Sequence, residues 1–480
     1  VKQFAWFLLA LFALFPGPGG RAQNLPDLGE RAQSELSPQQ ERKIGEQIMR
    51  EIRRDPDYID DPEIAVYVQS VGQRLVAASP DARQEFTFFV VRDKTINAFA
   101  MPGGFIGVHS GLIVSSQSES EFAGVLAHEV AHVIQRHLAR QLQAYNQLSP
   151  LSLVGLGLAI LAARSSPELA QGAAVASQAA PVAAMLNFSR EFEREADRVG
   201  FQILQDGGYE PAGMSSFFMR LQQNTRLYDN NAPAYLRTHP LTVERIADMQ
   251  NRAQDAQYKQ RPDSIEFQLV RAKLRAGDGR PEDAAANFRT LLAERRFATE
   301  AATRYGYAVA LLRAKDPAGA EREMTALRKT GLTHPMFETL ATRIRLAAGD
   351  RAGAEKIIAA AAQVYPDNVG VLYEYAEVLQ SVGNQARALD VLRDILKQRP
   401  QDARPYNMIA KSYAALGKRT EQHRAMAEGY YLQGGLAAAV EQLALAQKAG
   451  DGDFYTLSAI DARLRELRKL QQEEIKDRKK

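Results

Sequence analysis

Residues 118–140 read SESEFAGVLAHEVAHVIQRHLAR, and the HEVAH run at 128–132 decides how the rest of the chain is read. Ser118 with Glu121 three residues on forms a capping box, and Phe122, Val125, Leu126, Val130, Val133 and Ile134 supply an apolar stripe at helical spacing. The stretch predicts a helix. On it His128 and His132 stack on one face, so that both rings can reach a single metal ion, and Glu129 flanks the pair. Zinc in such sites takes three protein ligands and a water, and a neighbouring carboxylate can take the water's proton. The run therefore reads as part of a zinc hydrolase, and a third ligand must come from elsewhere.

Two routes to that ligand can be separated. A metzincin would place a histidine where Leu138 stands and a glycine where Gln135 stands, so that route fails. His137, nine residues beyond His128, is rotated to the opposite helix face and reads as a surface or capping histidine beside Arg136 and Arg140. The other route is a glutamate on a later helix. Residues 189–197, SREFEREAD, offer Glu193 and Asp197 on one face and Glu191 and Glu195 on another. A Glu ligand with an Asp one turn later would supply both a ligand and an acceptor for a ligand histidine's second N–H. Ala196 and Gly200 would let this helix approach the first closely. Without the HEVAH run upstream, the same stretch would read as a solvated charged helix.

These residues, with NAFAMPGG at 97–104, resemble the HtpX and CAAX-prenyl-protease group of gluzincin metallopeptidases over about half the chain. The resemblance implies one zinc ion on His128, His132 and Glu193, Glu129 as general base, and Asp197 as the support of a ligand histidine. It also implies that the segment from Asn97 to Gly107 pairs with an extended substrate as an added strand; otherwise it is an ordinary small sheet. Relatives carry a His-Pro further on, matched here by His239-Pro240. Facing the metal, His239 could stabilise an oxyanion, or fill the open position and hold the enzyme latent; a lone histidine is otherwise structural. His109 lies outside any ligand spacing and reads as structural.

At 480 residues the chain is too long for one core. With 45% apolar and 24% charged residues and a formal charge of +3, it calls for neither nucleic acid nor an anionic membrane as partner. The absence of cysteine excludes disulfides, thiol catalysis and a lipobox anchor. Lys2 and the apolar run from Phe4 to Phe15, followed by Gly20-Arg21-Ala22, predict a signal peptide over 1–22, cleaved near Ala22, and hence a periplasmic protein; an uncleaved anchor is the alternative. Residues 23–37 read as a linker and 38–255 as the protease domain.

Within that domain, Ile44, Ile48 and Ile52, then Val66, Val68, Val71 and Leu75, predict helices behind the site. Residues 85–91 are β-rich, and 97–101 with 105–109 read as a hairpin across Pro102-Gly103-Gly104. The apolar run 151–163 is shorter than the roughly twenty residues of a spanning helix. Residues 151–184 therefore read as a lid, a plug, a peripheral membrane contact or a packed helical hairpin.

From Pro262 the pattern changes. Ala308, Ala376 and Ala410, and Ala320, Ala354 and Ala388, fall at multiples of 34 residues, and Gly349, Gly383 and Gly417 keep the same period. Thr342 and Gln422 depart from it, and a first unit around Gly277-Asp278 is offset by two. This is the signature of tetratricopeptide repeats over 262–450, with Leu464, Leu467 and Leu470 marking a capping helix in a charged end at 451–480.

The fold class is thus mainly α, a gluzincin domain with a small β-sheet followed by an α-solenoid. The resulting expectation is a periplasmic zinc endopeptidase whose repeats select misfolded or stalled envelope proteins, with a repeat-bearing chaperone of silenced site as the alternative. The resemblance adds outer-membrane β-barrel proteins and their assembly machinery as clients and partners.

Overall fold

Ser37 closes a capping box with Gln40 at the start of the first described helix: each side chain accepts from the other's backbone N–H, at 3.3 and 2.8 Å. The computed structural model describes residues 37–79, 81–144, 188–226, 234–256 and 261–477. The expected signal peptide, the linker apart from Ser37, and the 151–184 insertion lie outside the described residues.

Helix α1 (Pro38–Ile52) buries Ile44, Ile48 and Ile52, and α2 (Pro62–Ala77), capped by Asp61, buries Ile64, Val68, Val71 and Leu75. Val66 faces the other way, onto the repeats. Strands β1 (Thr87–Val91), β2 (Ala98–Met101) and β3 (Phe105–His109) form one sheet in the order β1-β3-β2. The β2–β3 pair is the expected hairpin, antiparallel with Ala98 opposite Val108. Gly103 and Gly104 turn it at φ of +76° and +82°, where a side chain would be strained. β1 runs parallel to β3, so β2 is a sheet edge.

After α3 (Ser110–Ser115), helix α4 (Glu119–Ile134) carries the HEVAH run and is buried from Glu119 to Val133. Ser118 caps it by accepting from the Glu121 N–H at 3.1 Å, but the box is only half formed, because the Glu121 carboxylate accepts from Gln117 N–H and pairs with Arg220. The chain continues through α5 (His137–Ala144), α6 (Arg190–Asp206), α7 (Ala212–Arg226), α8 (Ala234–Thr238) and α9 (Val243–Asp255). α6 lies against α4 as its small residues predict. A methyl group on Gly200 would sit 3.0 Å from the backbone of Ala127 and His128.

The remaining chain is six helix pairs: α10 (Ile265–Gly277) and α11 (Pro281–Ala293), α12 (Glu300–Arg313) and α13 (Pro317–Arg328), α14 (Pro335–Ala347) and α15 (Arg351–Val364), α16 (Val369–Ser381) and α17 (Gln385–Gln398), α18 (Ala403–Ala415) and α19 (Arg419–Leu432), α20 (Leu436–Lys448) and α21 (Phe454–Asp477). Gly349, Gly383 and Gly417 take φ between +71° and +84° at the turns inside their pairs. One period earlier Lys315 adopts +61°, and in the offset first unit Gly279 does the same at +59°. Thr342 is buried at an alanine position by donating to the Glu338 carbonyl at 2.7 Å. Leu464 and Leu467 of α21 are buried against α20, so α21 caps the stack.

At the seam between the halves, helices α10, α14 and α18 bond directly to residues 60–63 of the protease half. Lys273 of α10 reaches Asp61 at 2.6 Å and also pairs with Glu63, and Thr339 of α14 donates to Glu63 at 2.6 Å. Tyr305 of α12 is buried within the field of Glu63 and Asp61, Arg343 of α14 binds Glu374 of α16 at 2.6 Å, and Arg404 of α18 donates to the Asp60 carbonyl at 3.2 Å. A second tie joins the start of α4 to residues 263–264, just before α10. Ser264 N–H and hydroxyl donate to the two Glu119 oxygens at 3.1 and 2.8 Å, and Asp263 accepts from the Glu119 N–H at 2.7 Å.

Candidate metal centre

His128 and His132 project from the buried middle of α4, Glu193 from the first turn of α6, and His239 from just beyond α8, where its N–H donates to the Tyr235 carbonyl at 2.9 Å. One ligand atom from each of these four lies within 4.8 Å of all the others, and all four side chains are buried. The nearest pairs are closer. His128 Nε2 and His132 Nε2 are 3.0 Å apart, His128 Nε2 and His239 Nδ1 3.4 Å, His132 Nε2 and Glu193 Oε1 3.3 Å, and His239 Nδ1 and Glu193 Oε1 2.9 Å. A tetrahedral ion with bonds of about 2.0–2.1 Å needs donors about 3.3 Å apart, so the spacing fits a first-row divalent metal.

Charge points the same way. Glu129, Glu193 and Asp197 share this buried pocket with one guanidinium, Arg245, which binds Asp197 at 2.6 and 2.8 Å and Glu193 at 2.7 Å. Three carboxylates against one fixed cation leave the pocket short of positive charge. His128 registers the deficit: burial works against its protonation, yet Asp197 and Glu193 push its pKa up to about 9. His132 goes the other way, held well below the ordinary range chiefly by burial. Burial would raise Glu193, but His239, His128 and His132 hold it well down.

Glu129 stands apart from the four. Burial pushes its pKa up, against His239 and His128, and its Oε1 lies 3.5 Å from His239 Nε2. Neither carboxylate oxygen makes a hydrogen bond of good geometry. The backbone of Ala100, on the β2 edge, lies beside it and lowers its pKa in part. A buried carboxylate with raised proton affinity, next to a divalent cation site and a sheet edge, is suited to take a proton from water. Asp197 Oδ1 lies 3.0 Å from His128 Nδ1. Of the second acidic face, Glu191 is exposed and Glu195 binds elsewhere. His109 lies away from the cluster, its Nδ1 2.8 Å from the Thr95 hydroxyl.

His137 requires a correction. It is fully buried, with Nδ1 2.9 Å from His132 Nδ1, and is not a surface histidine. The expectation assumed one unbroken helix, whereas α4 stops at Ile134 and Arg136 takes φ of +52°, swinging His137 back onto the ligand. Arg245 and Tyr235 were also missed. Tyr235 stacks on His239 with ring centroids 4.6 Å apart, and its buried hydroxyl has no hydrogen-bond partner. The tyrosine could have been suspected one turn before His239, but nothing in its spacing marks the arginine.

Residues 62–253 match the family model described as Peptidase family M48, and residues 345–412 match a tetratricopeptide repeat model. The chain is 32% identical over 459 residues to the beta-barrel assembly-enhancing protease of Escherichia coli K12, covering 95% of this chain and 94% of that one. It is equally similar, over 466 residues and 96% of each chain, to the putative beta-barrel assembly-enhancing protease of Vibrio cholerae serotype O1. A more distant match, 26% over 269 residues, covers 54% of this chain and 74% of the mitochondrial metalloendopeptidase OMA1 of Schizosaccharomyces pombe. With four residues that could hold a metal ion inside the M48 match and a tetratricopeptide match behind it, the chain belongs to the M48 peptidases, in the family of the beta-barrel assembly-enhancing proteases.

Proposed function

We propose that the chain is a periplasmic zinc endopeptidase that cleaves misfolded or stalled outer-membrane proteins and assists the assembly of those that mature. The observation that carries this reading is the convergence of His128, His132, Glu193 and His239 with Glu129 unpaired beside them. The names of its relatives support the client class. The expected signal peptide supports the periplasm, and no helix among the described residues is long and apolar enough to cross a membrane.

His128, His132 and Glu193 would hold the zinc, which when bound would supply Lewis acidity for the scissile carbonyl and lower the pKa of an attacking water. Glu129 takes the proton of that water and passes it to the leaving amine. Asp197, itself gripped by Arg245, fixes the His128 ring. An extended substrate adds to the free edge of β2, which brings its backbone alongside Glu129. His239, whose Nδ1 lies among the other donors and whose Nε2 lies 3.5 Å from Glu129, would either fill the open position in a resting form or serve the oxyanion.

Glu129→Gln tests the scheme. The variant should keep zinc and bind an unfolded outer-membrane protein, yet fail to cut it. Cleavage by the variant refutes the mechanism. A parent protein that prevents aggregation without ever cutting would establish the chaperone with a silenced site. His239→Ala should alter turnover or release latency while retaining zinc; unchanged turnover would remove His239 from the scheme.

A further inference from the structure

His137 is a fully buried histidine that the cleavage chemistry does not use. Its two ring nitrogens are both engaged: Nδ1 lies 2.9 Å from His132 Nδ1, and Nε2 lies 3.2 Å from Glu195 Oε2. Arg140 Nη1 donates to that same Glu195 oxygen at 2.9 Å. The ring is also held in plane, stacked on Phe192 at 4.6 Å and 13°, and the Arg140 guanidinium sits 4.6 Å from the Phe192 ring centre.

We infer that His137 is a positioning residue for the metal: through an ordered chain of hydrogen bonds to Glu195 and Arg140 it fixes both the ring and the tautomer of His132. The inference rests on the reading of His132 as a metal ligand. His132 enters the cluster through Nε2, so its ring proton sits on Nδ1 and must be donated to His137 Nδ1. That nitrogen can accept only when the His137 proton is on Nε2, and there the Glu195 carboxylate receives it. The other tautomer of His137 would set two N–H groups against each other at 2.9 Å. Glu195, with Arg140 behind it, therefore dictates which nitrogen of His132 faces the metal.

The two ligand histidines are thus supported differently. His128 Nδ1 lies 3.0 Å from a carboxylate, that of Asp197, one turn beyond Glu193 on α6. His132 donates to a neutral ring, and its carboxylate is one residue further along the chain of bonds. Losing such a support typically weakens metal binding 10- to 100-fold.

The test measures zinc dissociation constants of the full chain by chelator competition, together with the melting temperature of each metal-free protein. His137→Phe, which keeps the stack on Phe192 but offers no acceptor, should weaken zinc binding by about 10- to 100-fold. His137→Asn, whose side-chain oxygen can stand where Nδ1 stands, should recover most of that loss, and His137→Gln, whose amide falls nearer Nε2, should not. Glu195→Ala should show a smaller loss in the same direction. Zinc binding by His137→Phe as tight as the parent's, or equal weakening by Phe and Asn, overturns the inference. If His137→Phe does not fold, the partly exposed Glu195 carries the test, and unchanged zinc affinity in Glu195→Ala overturns it. His132→Ala separates the two levels: if it loses zinc while the 137 and 195 variants do not, only the positioning role fails, and if it keeps zinc, the assignment of His132 fails first.

Discussion

Among the described residues, charge is buried at the metal centre and also at the seam where the repeats grip α2. At the seam the polar side chains have partners: Lys273 faces Asp61 and Glu63, Thr339 donates to Glu63, and Arg343 binds Glu374. At the metal centre both oxygens of Glu129 and the hydroxyl of Tyr235 lack hydrogen bonds, and carboxylates outnumber fixed cations. Burying an unsatisfied polar group costs stability, so several of them gathered at one site point to a ligand, an ion or a reaction that uses them. The matched cluster serves cohesion and the unmatched one serves chemistry.

Substitutions can break this contrast. The largest effect falls on Glu129→Gln, which should lower peptidase turnover by about 10²- to 10⁴-fold in an assay on an unfolded substrate, the usual share of a general base. Chemical denaturation of the same variant should show no loss of stability. A clear destabilisation would mean that Glu129 is structurally matched after all.

Lys273→Met is the reciprocal change. It leaves Asp61 and Glu63 buried without their cation and should cost about 3–5 kcal/mol by denaturant titration. Turnover per folded molecule should stay near the parent's.

The same pair sets a pH dependence. Burial would raise Asp61, but Lys273 holds it below its ordinary 3.8; burial would lower Lys273, but Glu63 and Asp61 hold it above 10.5. A depressed carboxyl contributes stability above its unfolded pKa, and a raised ammonium contributes below its own. The gap in stability between parent and Lys273→Met should therefore be widest between these limits. It should shrink as pH falls below 3.8 through the folded Asp61 value, or rises beyond 10.5 through that of Lys273. A gap that does not change across either limit would show that the pair is not coupled to folding.

Thr339→Val sits at the small end. It removes one hydrogen bond to a carboxylate that retains Lys273, and about 1 kcal/mol is expected in the same titration.

The contrast also explains what the residues disclosed beforehand. Histidines four apart, a glutamate and an aspartate one turn apart, and alanines and glycines every 34 residues are regularities of a single helix or repeat, and each lies where its period places it. His137 escaped because a left-handed residue, Arg136, ended the period on which its position had been reckoned. Arg245 and the seam escaped for another reason. Lys273 and Glu63 meet across 210 residues, and no local periodicity encodes such a meeting. Nor does the 34-residue repeat reveal that its first helices already hold part of the same chain.

The tie between Glu119 and residues 263–264 has a mechanical meaning. It joins the first turn of α4 to the segment from which α10 springs, so the rod bearing two of the four donors is hinged to the solenoid at its own end. His128 stands nine residues along that rod, about 13–14 Å from the joint. A load on the repeats would therefore bear on the end of the same helix that carries His128 and His132.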